Sequence, residues 1–345
     1  MFARPRVLSF LTTRRCTAAC DNCCVGASPK ATAAIPVARM HELIDEAKRV
    51  PSLERVVFSG GECFLLGHDL DALIAHASVL GFATRVITNG YWAAKEPAAR
   101  ARVAALRAAG LDEMMLSTGT FHQKFVPVER IVHAARAAAA GAIATRVSIE
   151  ACDQSAFDEA ILRDELAPEI AAGAVVLSQD PWIEDAGGRG VTPLSHERFT
   201  ATDERPPNRR CAQVLDVITV TPDQQLSACC GFPMEQLPQL GLGSVAAQSL
   251  DDVLRAAPDE LLKMWLHVAG PAGIADFVAR HVPGYTLPPF ASICQACATL
   301  LRDRDAMRAV TEHAAEIVHA VAAAYVRLQN ANQPLRALAR SATPA

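Results

Sequence analysis

Val7-Leu8-Ser9-Phe10-Leu11-Thr12-Thr13-Arg14-Arg15-Cys16-Thr17-Ala18-Ala19-Cys20-Asp21-Asn22-Cys23 is a short β-rich apolar run that opens directly into a Cys-x3-Cys-x2-Cys loop. A strand delivering three thiols into one loop brings them to a common point without help from a distant residue. Thiolates at this spacing can ligate three irons of a cubic iron-sulfur cluster and leave the fourth iron without a protein ligand. The plainer alternatives are a zinc knuckle or three buried thiols. Zinc asks for four ligands in tetrahedral array, and the nearest fourth thiol, Cys24, adjoins Cys23 and points elsewhere in an extended loop.

Outward from this stretch, β-rich runs alternate with Ala- and Leu-patterned helical segments as far as about Gln179, the signature of βα units around a parallel sheet. Strands are expected near Val7–Thr12, Arg55–Ser59, Thr84–Thr88, Glu113–Ser117, Ala144–Glu150 and Ala174–Ser178. Helices are expected near Pro36–Val50, Asp69–Gly81, Pro97–Gly110, Val128–Gly141 and Ala156–Ala171, with Gly81, Gly110, Gly141 and Gly173 as left-handed caps. Gly60-Gly61-Glu62 falls at the tip of the second strand, where two glycines let backbone carbonyls approach a ligand. Thr88-Asn89-Gly90 falls at the third tip and Ser117-Thr118-Gly119-Thr120 at the fourth.

Residues 180–210 lose the repeat and fill with Pro, Gly and charge, which marks a boundary loop. Beyond it, Val214–Thr221 and Leu226–Ala228 flank Pro222-Asp223-Gln224-Gln225 and predict a β-hairpin. Helical pieces follow near 249–256 and 259–269, then Cys294-x2-Cys297, one long helix over 301–328 and a polar tail. The expected division is residues 1–190, a second module over 191–300, a helix over 301–328 and a disordered tail over 329–345. Cys211 and Cys229 bracket the hairpin and stand at its open end, with Cys230 an alternative to Cys229. Cys294 and Cys297 complete a set of four that suits zinc or iron-sulfur equally by spacing.

The chain has 345 residues, 51% hydrophobic and 20% charged, enough to bury a large core. Its net charge of -4, with no Lys/Arg run longer than a pair, argues against nucleic-acid binding. No secretory signal or membrane-spanning run is visible, so a cytoplasmic location is expected and a membrane role is not. In a reducing compartment eleven cysteines point to metal or redox work rather than disulfides.

Together the Cys16/Cys20/Cys23 triplet, Gly60-Gly61-Glu62 and Thr88-Asn89-Gly90 resemble the radical S-adenosylmethionine (SAM) superfamily. The resemblance implies an α/β fold, a partial (β/α)6 TIM-type barrel with its reactive groups at the C-terminal strand ends. It implies a [4Fe-4S] cluster on Cys16, Cys20 and Cys23, with SAM bound to the open iron. Gly60, Gly61 and Glu62 would then hold the methionine amino group, while Thr88 and Asn89 match a recurrent family segment. Ser117 is either a SAM contact or a plain cap. Three positions depart from the pattern: Asn22 replaces an aromatic residue, Cys63 a proline and Gly119 an acid. Cys63 is thus a small core residue or a thiol near substrate. The arrangement of Cys211, hairpin, Cys229 and Cys294-x2-Cys297 resembles the twitch module, a cut-down SPASM domain, and implies an auxiliary [4Fe-4S] cluster.

In the family, one-electron reduction of SAM gives a 5'-deoxyadenosyl radical that takes a substrate hydrogen, and a fully ligated auxiliary cluster most simply accepts an electron. The expected outcome is oxidative modification or crosslinking. His122 is a candidate to deprotonate substrate and Cys152 to return a hydrogen atom; the bland readings are a surface histidine and a buried structural thiol. Arg146, Asp180, Glu184 and Arg189 are placed near strand tips. The first functional reading is a maturase of a ribosomally made peptide. The second is a dehydrogenase or epimerase of a sugar or aminocyclitol, and the third is a non-catalytic scaffold with two zinc sites. Because the chain starts almost at its first strand, no fused leader-peptide domain is expected; a separate leader-binding protein or the barrel mouth would capture peptide. A flavodoxin or ferredoxin is the expected electron donor.

Overall fold

The computed structural model describes residues 4–151, 157–181, 210–230, 235–257, 260–288, 290 and 292–331. Six strands joined through helices come first: β1 (Val7–Leu11), α1 (Val37–Ala47), β2 (Arg55–Ser59), α2 (His68–Val79), β3 (Ala83–Thr88), α3 (Glu96–Ala108) and β4 (Glu113–Thr118). Next come α4 (Thr120–Gln123), α5 (Val128–Ala140), β5 (Ala144–Ala151), α6 (Ala160–Glu165), α7 (Ala167–Ala171) and β6 (Val175–Pro181). A hairpin and a helical region follow, with β7 (Val217–Val220), β8 (Gln225–Ser227), β9 (Gly241–Ser244), α8 (Leu250–Ala256), α9 (Glu260–His281), α10 (Ile293–Arg302), α11 (Arg304–Glu312) and α12 (Val318–Ala331).

Strands β1 to β6 are parallel and lie in sequence order, as short βα connections require. The described sheet is open, not closed into a full barrel. Alternation assigns its two faces: Leu8, Phe10, Val56, Phe58, Val86, Met114, Leu116 and Val147 meet the helices in the main core. From the helices, Leu43, Ile44, Leu70, Leu73, Val103, Leu106 and Ile131 cover them, each fully buried side chain contributing about 1.5–3 kcal/mol. The inner face is floored at its N-terminal end by Val7, Val57, Val217 and Ile87. Beside them Glu113 accepts hydrogen bonds from Arg55 Nη2 (2.7 Å) and Arg85 Nε (2.6 Å). The opposite, C-terminal end of the inner face is left for the loops that carry the cysteines.

The hairpin does not stand apart. β7 runs parallel to β1 in register Val7↔Val217 to Phe10↔Val220, and β8 and β9 add antiparallel, so one nine-stranded sheet runs from β6 to β9. Arg6 clamps this join: its Nε lies 2.7 Å from Asp216 Oδ1 and its Nη2 3.2 Å from Oδ2. The Arg6 and Val7 amides both donate to the Asp216 carbonyl.

Three local expectations are corrected. Gly141 has φ -83°, and the left-handed residue that ends α5 is Ala142 at φ 54°. The helix expected over Ala156–Ala171 is two short ones, parted at Leu166 (φ -107°) just before Pro168. The single helix expected over 301–328 is broken at Asp303, whose extended backbone ends α10 and whose carboxylate caps α11 by accepting from the Asp305 and Ala306 amides. A second break, the 3-10 turn Ala314–Glu316, separates α11 from α12, which continues past Gln329 to Ala331. The boundary loop read at 180–210 lies, apart from its first two residues and its last, outside the described residues. Among the described residues no helix is long and apolar enough to cross a membrane.

Asp216→Ala removes the clamp between β1 and β7 and should cost about 1 kcal/mol, because the pair is bidentate but Arg6 is partly exposed. Chemical denaturation of the variant beside wild type checks this; an unchanged midpoint would show that the backbone pairing alone holds the join.

Candidate active site

Cys16, Cys20 and Cys23 sit in the loop leaving β1, and all ten described cysteines are free thiols. Cys16 and Cys20 are buried with Ala18 and Ala27, and Cys23, Val25 and Phe121 pack around them. The loop is preshaped by its own backbone: the Cys23 amide donates to Cys20 O, and Gly26 to Cys23 O. Two further amides donate to sulfur, Ala18 to Cys16 Sγ (3.4 Å) and Ala27 to Cys23 Sγ (3.2 Å). Such bonds favour a thiolate over a thiol. Burial acts the other way and pushes the Cys16 thiol up to about 11, with Glu62 and Cys23 adding to the rise.

The second and third strand tips lock onto this loop. Gly61 N–H donates to Thr13 O and Glu62 N–H to Arg15 O (2.9 Å). A Cβ at Gly61 would collide with the Arg15 carbonyl, and one at Gly60 (φ 147°) would lie 2.8 Å from Thr13 O. The two glycines therefore serve the close approach of tip to loop. Glu62, 1% exposed, turns inward and accepts from the Phe64 amide (3.1 Å), Thr88 Oγ1 (2.8 Å) and the Asn89 amide (2.8 Å). Asn89 Nδ2 reaches on to Thr17 Oγ1 (3.2 Å) and Cys16 Sγ (3.5 Å). Desolvation by burial outweighs these donated bonds and raises the Glu62 carboxyl to about 7.

Glu150, which sequence reading passed over as a strand residue, joins the two outlying positions. At the end of β5 its Oε1 accepts from the Phe121 amide (2.5 Å), and its Oε2 from Asn22 Nδ2 (2.6 Å) and His122 Nδ1 (2.9 Å). A side chain at Gly119, φ 136°, would collide with Glu150 Cγ. Glu150 thus sets a carboxylate from the neighbouring strand beside position 119, where it accepts from Asn22 of the cysteine loop. The signal available in sequence was the pairing of a glycine at one tip with a carboxylate at the next. His122 lies at the same mouth, with Nδ1 turned to the carboxylate. Ser117 is half-buried in β4, in register with Ser148.

The four cysteines read as a second set lie on two elements, the hairpin stem and α10. Cys211 and Cys229 stand at the foot of the hairpin stem, where the Leu215 amide donates to Ala228 O and the Cys211 amide to Leu266 O. Cys294 and Cys297 lie one turn apart on α10. Burial pushes the Cys294 thiol up to about 12 and raises the Cys297 thiol well above the usual range, with Cys229 and Cys211 adding to the rise in both. Cys229 is buried; Cys230 is exposed and lies 3.9 Å from Gln213 Oε1. Arg14 ties the first cysteine loop to the hairpin region: Nη1 donates to Val25 O (2.9 Å), and Nη2 bonds Glu235 (2.6 Å) and lies 3.4 Å from Asp223.

Among the described residues only His281, His313 and Glu316 hold three potential ligand atoms within 4.8 Å of one another, so neither cysteine set is drawn to single-ion spacing. A tetrahedral zinc thiolate site would bring its sulfurs to about 3.8 Å. For Cys16, Cys20 and Cys23, an all-thiol donor set with amide-to-sulfur bonds suits an iron-sulfur cluster. Cys63 is fully buried, its Sγ donating to Ile87 O (3.3 Å), and is a core residue. Arg146 lies mid-strand opposite Met115 and not at a tip. Cys152, Glu184 and Arg189 fall outside the described residues, as does the Asp180 side chain.

Residues 10–151 match the model of the Radical SAM superfamily. Over 121 residues, 35% of this chain, the protein is 25% identical to YydG of Bacillus subtilis (strain 168), whose name refers to peptide biosynthesis. Over 123 residues, 34% of the chain, it is 37% identical to the PqqA peptide cyclase of Xanthomonas oryzae pv. oryzae (strain MAFF 311018). The matches span 38% and 30% of those two relatives. In fold it is similar to Streptococcus suis SuiB bound to the precursor peptide SuiA, with TM-score 0.60 at 16% identity over 85% of this chain and 76% of that one. It is also similar to anSMEcpe, solved with AdoMet and a peptide, with TM-score 0.52 at 11% identity over 92% and 99% of the two chains.

Glu62 makes the tips pH-sensitive. Below about pH 4.5 its carboxyl is protonated folded or unfolded, whereas between there and about 7 only the folded chain keeps the proton. Stability should therefore fall as pH rises through that window and level off above it. Relative to Glu62→Gln, wild type should lose up to about 1.4 kcal/mol per pH unit by chemical denaturation, and parallel curves would contradict the assignment. For the Glu150 contact, a double-mutant cycle applies: Gly119→Ala should cost at least about 1 kcal/mol less in a Glu150→Ala background than in wild type.

Proposed function

We propose, from the premise that residues 10–151 form a radical SAM domain, that this protein is a radical SAM enzyme that oxidatively modifies or crosslinks a peptide. The observation that carries the reading is the convergence of two strand tips on one thiol loop: Gly61 and Glu62 on the backbone of Thr13 and Arg15, and Asn89 on Cys16. The peptide as substrate is supported by the two curated relatives, one named for peptide biosynthesis and the other a peptide cyclase.

Cys16, Cys20 and Cys23 would hold a [4Fe-4S] cluster with one iron open to SAM. When bound, the pair supplies a 5'-deoxyadenosyl radical able to take hydrogen from an unactivated C–H bond. The chain's own contribution is placement and exclusion of water. Gly60, Gly61 and Glu62 would hold the methionine end of SAM, with Glu62 fixed by the bonds it accepts from Thr88 and Asn89. Asn22 and Glu150 would form a polar wall where the resemblance to the family implies an aromatic ring and an acid, with Ser117 on the adjoining strand. The His122–Glu150 pair orients the imidazole with Nδ1 toward the carboxylate, which leaves Nε2 as the nitrogen suited to accept a proton from substrate.

Cys211, Cys229, Cys294 and Cys297 would hold the auxiliary [4Fe-4S] cluster, with buried Cys229 favoured over exposed Cys230. Fully ligated by protein, such a cluster supplies an electron acceptor. A flavodoxin or ferredoxin is the proposed donor of the initiating electron. Residues 191–300 would form the auxiliary module, and Cys152 remains a candidate hydrogen donor.

Replacing Cys16, Cys20 or Cys23 by Ala should abolish SAM cleavage. Cys211→Ala should continue to release 5'-deoxyadenosine but give no modified peptide. Both are read by chromatography of anaerobic reactions with dithionite and a candidate precursor peptide. Turnover surviving in the first three variants would end the radical assignment; product formed by Cys211→Ala would end the role given to the second set.

A further inference from the structure

Far along the chain from the first cysteine loop, α9 ends at His281, and the turn between α11 and α12 carries His313 and Glu316. These three belong to neither cysteine set. They are the trio, among the described residues, whose ligand atoms all lie within 4.8 Å of one another. One carboxylate spans both rings, with Glu316 Oε1 2.9 Å from His313 Nδ1 and Oε2 3.4 Å from His281 Nε2. The imidazoles stack with centroids 3.8 Å apart and planes within 18°, and Phe277 packs on His281 at 4.6 Å.

As a plain ion pair this arrangement is incomplete. His281 Nε2 is buried and has no hydrogen-bond partner, since its 3.4 Å contact with Glu316 lacks hydrogen-bond geometry. A buried ring nitrogen left unpaired is costly, and a ligated ion removes the cost. Two imidazole nitrogens and one carboxylate oxygen are the donors of a three-ligand zinc site with an open fourth position. Tetrahedral ligands about 2.1 Å from zinc lie about 3.4 Å from each other, the separation already present between His281 and Glu316. Glu316 and His313 are more exposed than His281, with side-chain exposures of 52%, 37% and 17%, so the open position faces solvent and a water can fill it.

We propose that His281, His313 and Glu316 bind a divalent transition-metal ion, zinc being the one their donors suit, and that the ion staples the end of α9 to the turn before α12. The site needs no other element: His313 and Glu316 are three residues apart on one turn, and α9 packs against both α11 and α12. Neither the radical chemistry nor the peptide substrate is required for it.

The full chain, purified without oxygen and with its iron in place, would be equilibrated with zinc chloride, desalted and assayed for zinc and iron by mass spectrometry. Wild type should retain one zinc per chain, and Glu316→Gln and His313→Ala should each lose it with iron unchanged. Because both side chains are partly exposed, these variants keep the fold; a rise of the wild-type unfolding midpoint with zinc, absent in the variants, is the second reading. Zinc absorption spectra should show nitrogen and oxygen ligands. Zinc absent from wild type, retained equally by the variants, or ligated by sulfur would each overturn the proposal.

Discussion

The contact on which the site depends is the approach of the Gly60–Gly61 backbone to Thr13 and Arg15. It brings the tip of β2 against the loop that carries Cys16, Cys20 and Cys23, at a distance no side chain tolerates. Once that approach is made, Glu62 is forced inward and its carboxylate becomes the acceptor for three donors, two of them from the tip of β3. Asn89 is thereby aimed at Cys16. The rest of the mouth is arranged around a cysteine loop fixed in this way.

The raised position of Glu62 follows from the same geometry. A carboxylate with three donors would ordinarily stay ionised at low pH, yet desolvation dominates because the tips exclude water. Glu150 likewise has both oxygens occupied, by donors from the cysteine loop and the start of α4. The two carboxylates brace the thiol loop from adjacent sides. Arg14 braces it from behind through Val25 and Glu235, which couples the first thiol set mechanically to the hairpin region that carries part of the second.

Much of this was legible in sequence because period and punctuation coincide. Apolar runs of strand length ended at glycines, and β2 was located to the residue. Cysteine spacing marked Cys16, Cys20 and Cys23 as one set, since ligands carried by one loop need no tertiary knowledge. What escaped detection depends on neighbours brought together by the sheet. Glu150 and Asn22 are 128 residues apart and meet only because β4 and β5 pair. The junction of β7 with β1 rests on Asp216 and Arg6, a pairing that no local pattern announces. The break at Asp303 was hidden by good helix formers on both sides, and a capping carboxylate decided it.

The central claim is that three thiols hold an iron cluster with one corner left for a small-molecule ligand. Mössbauer spectroscopy of 57Fe-labelled protein, prepared without oxygen and recorded before and after SAM, tests it most directly. The account predicts two four-iron clusters, with one iron of a single cluster changing its isomer shift on SAM addition. A spectrum that SAM leaves unaltered, or a preparation whose thiols at Cys16, Cys20 and Cys23 carry zinc, would contradict it.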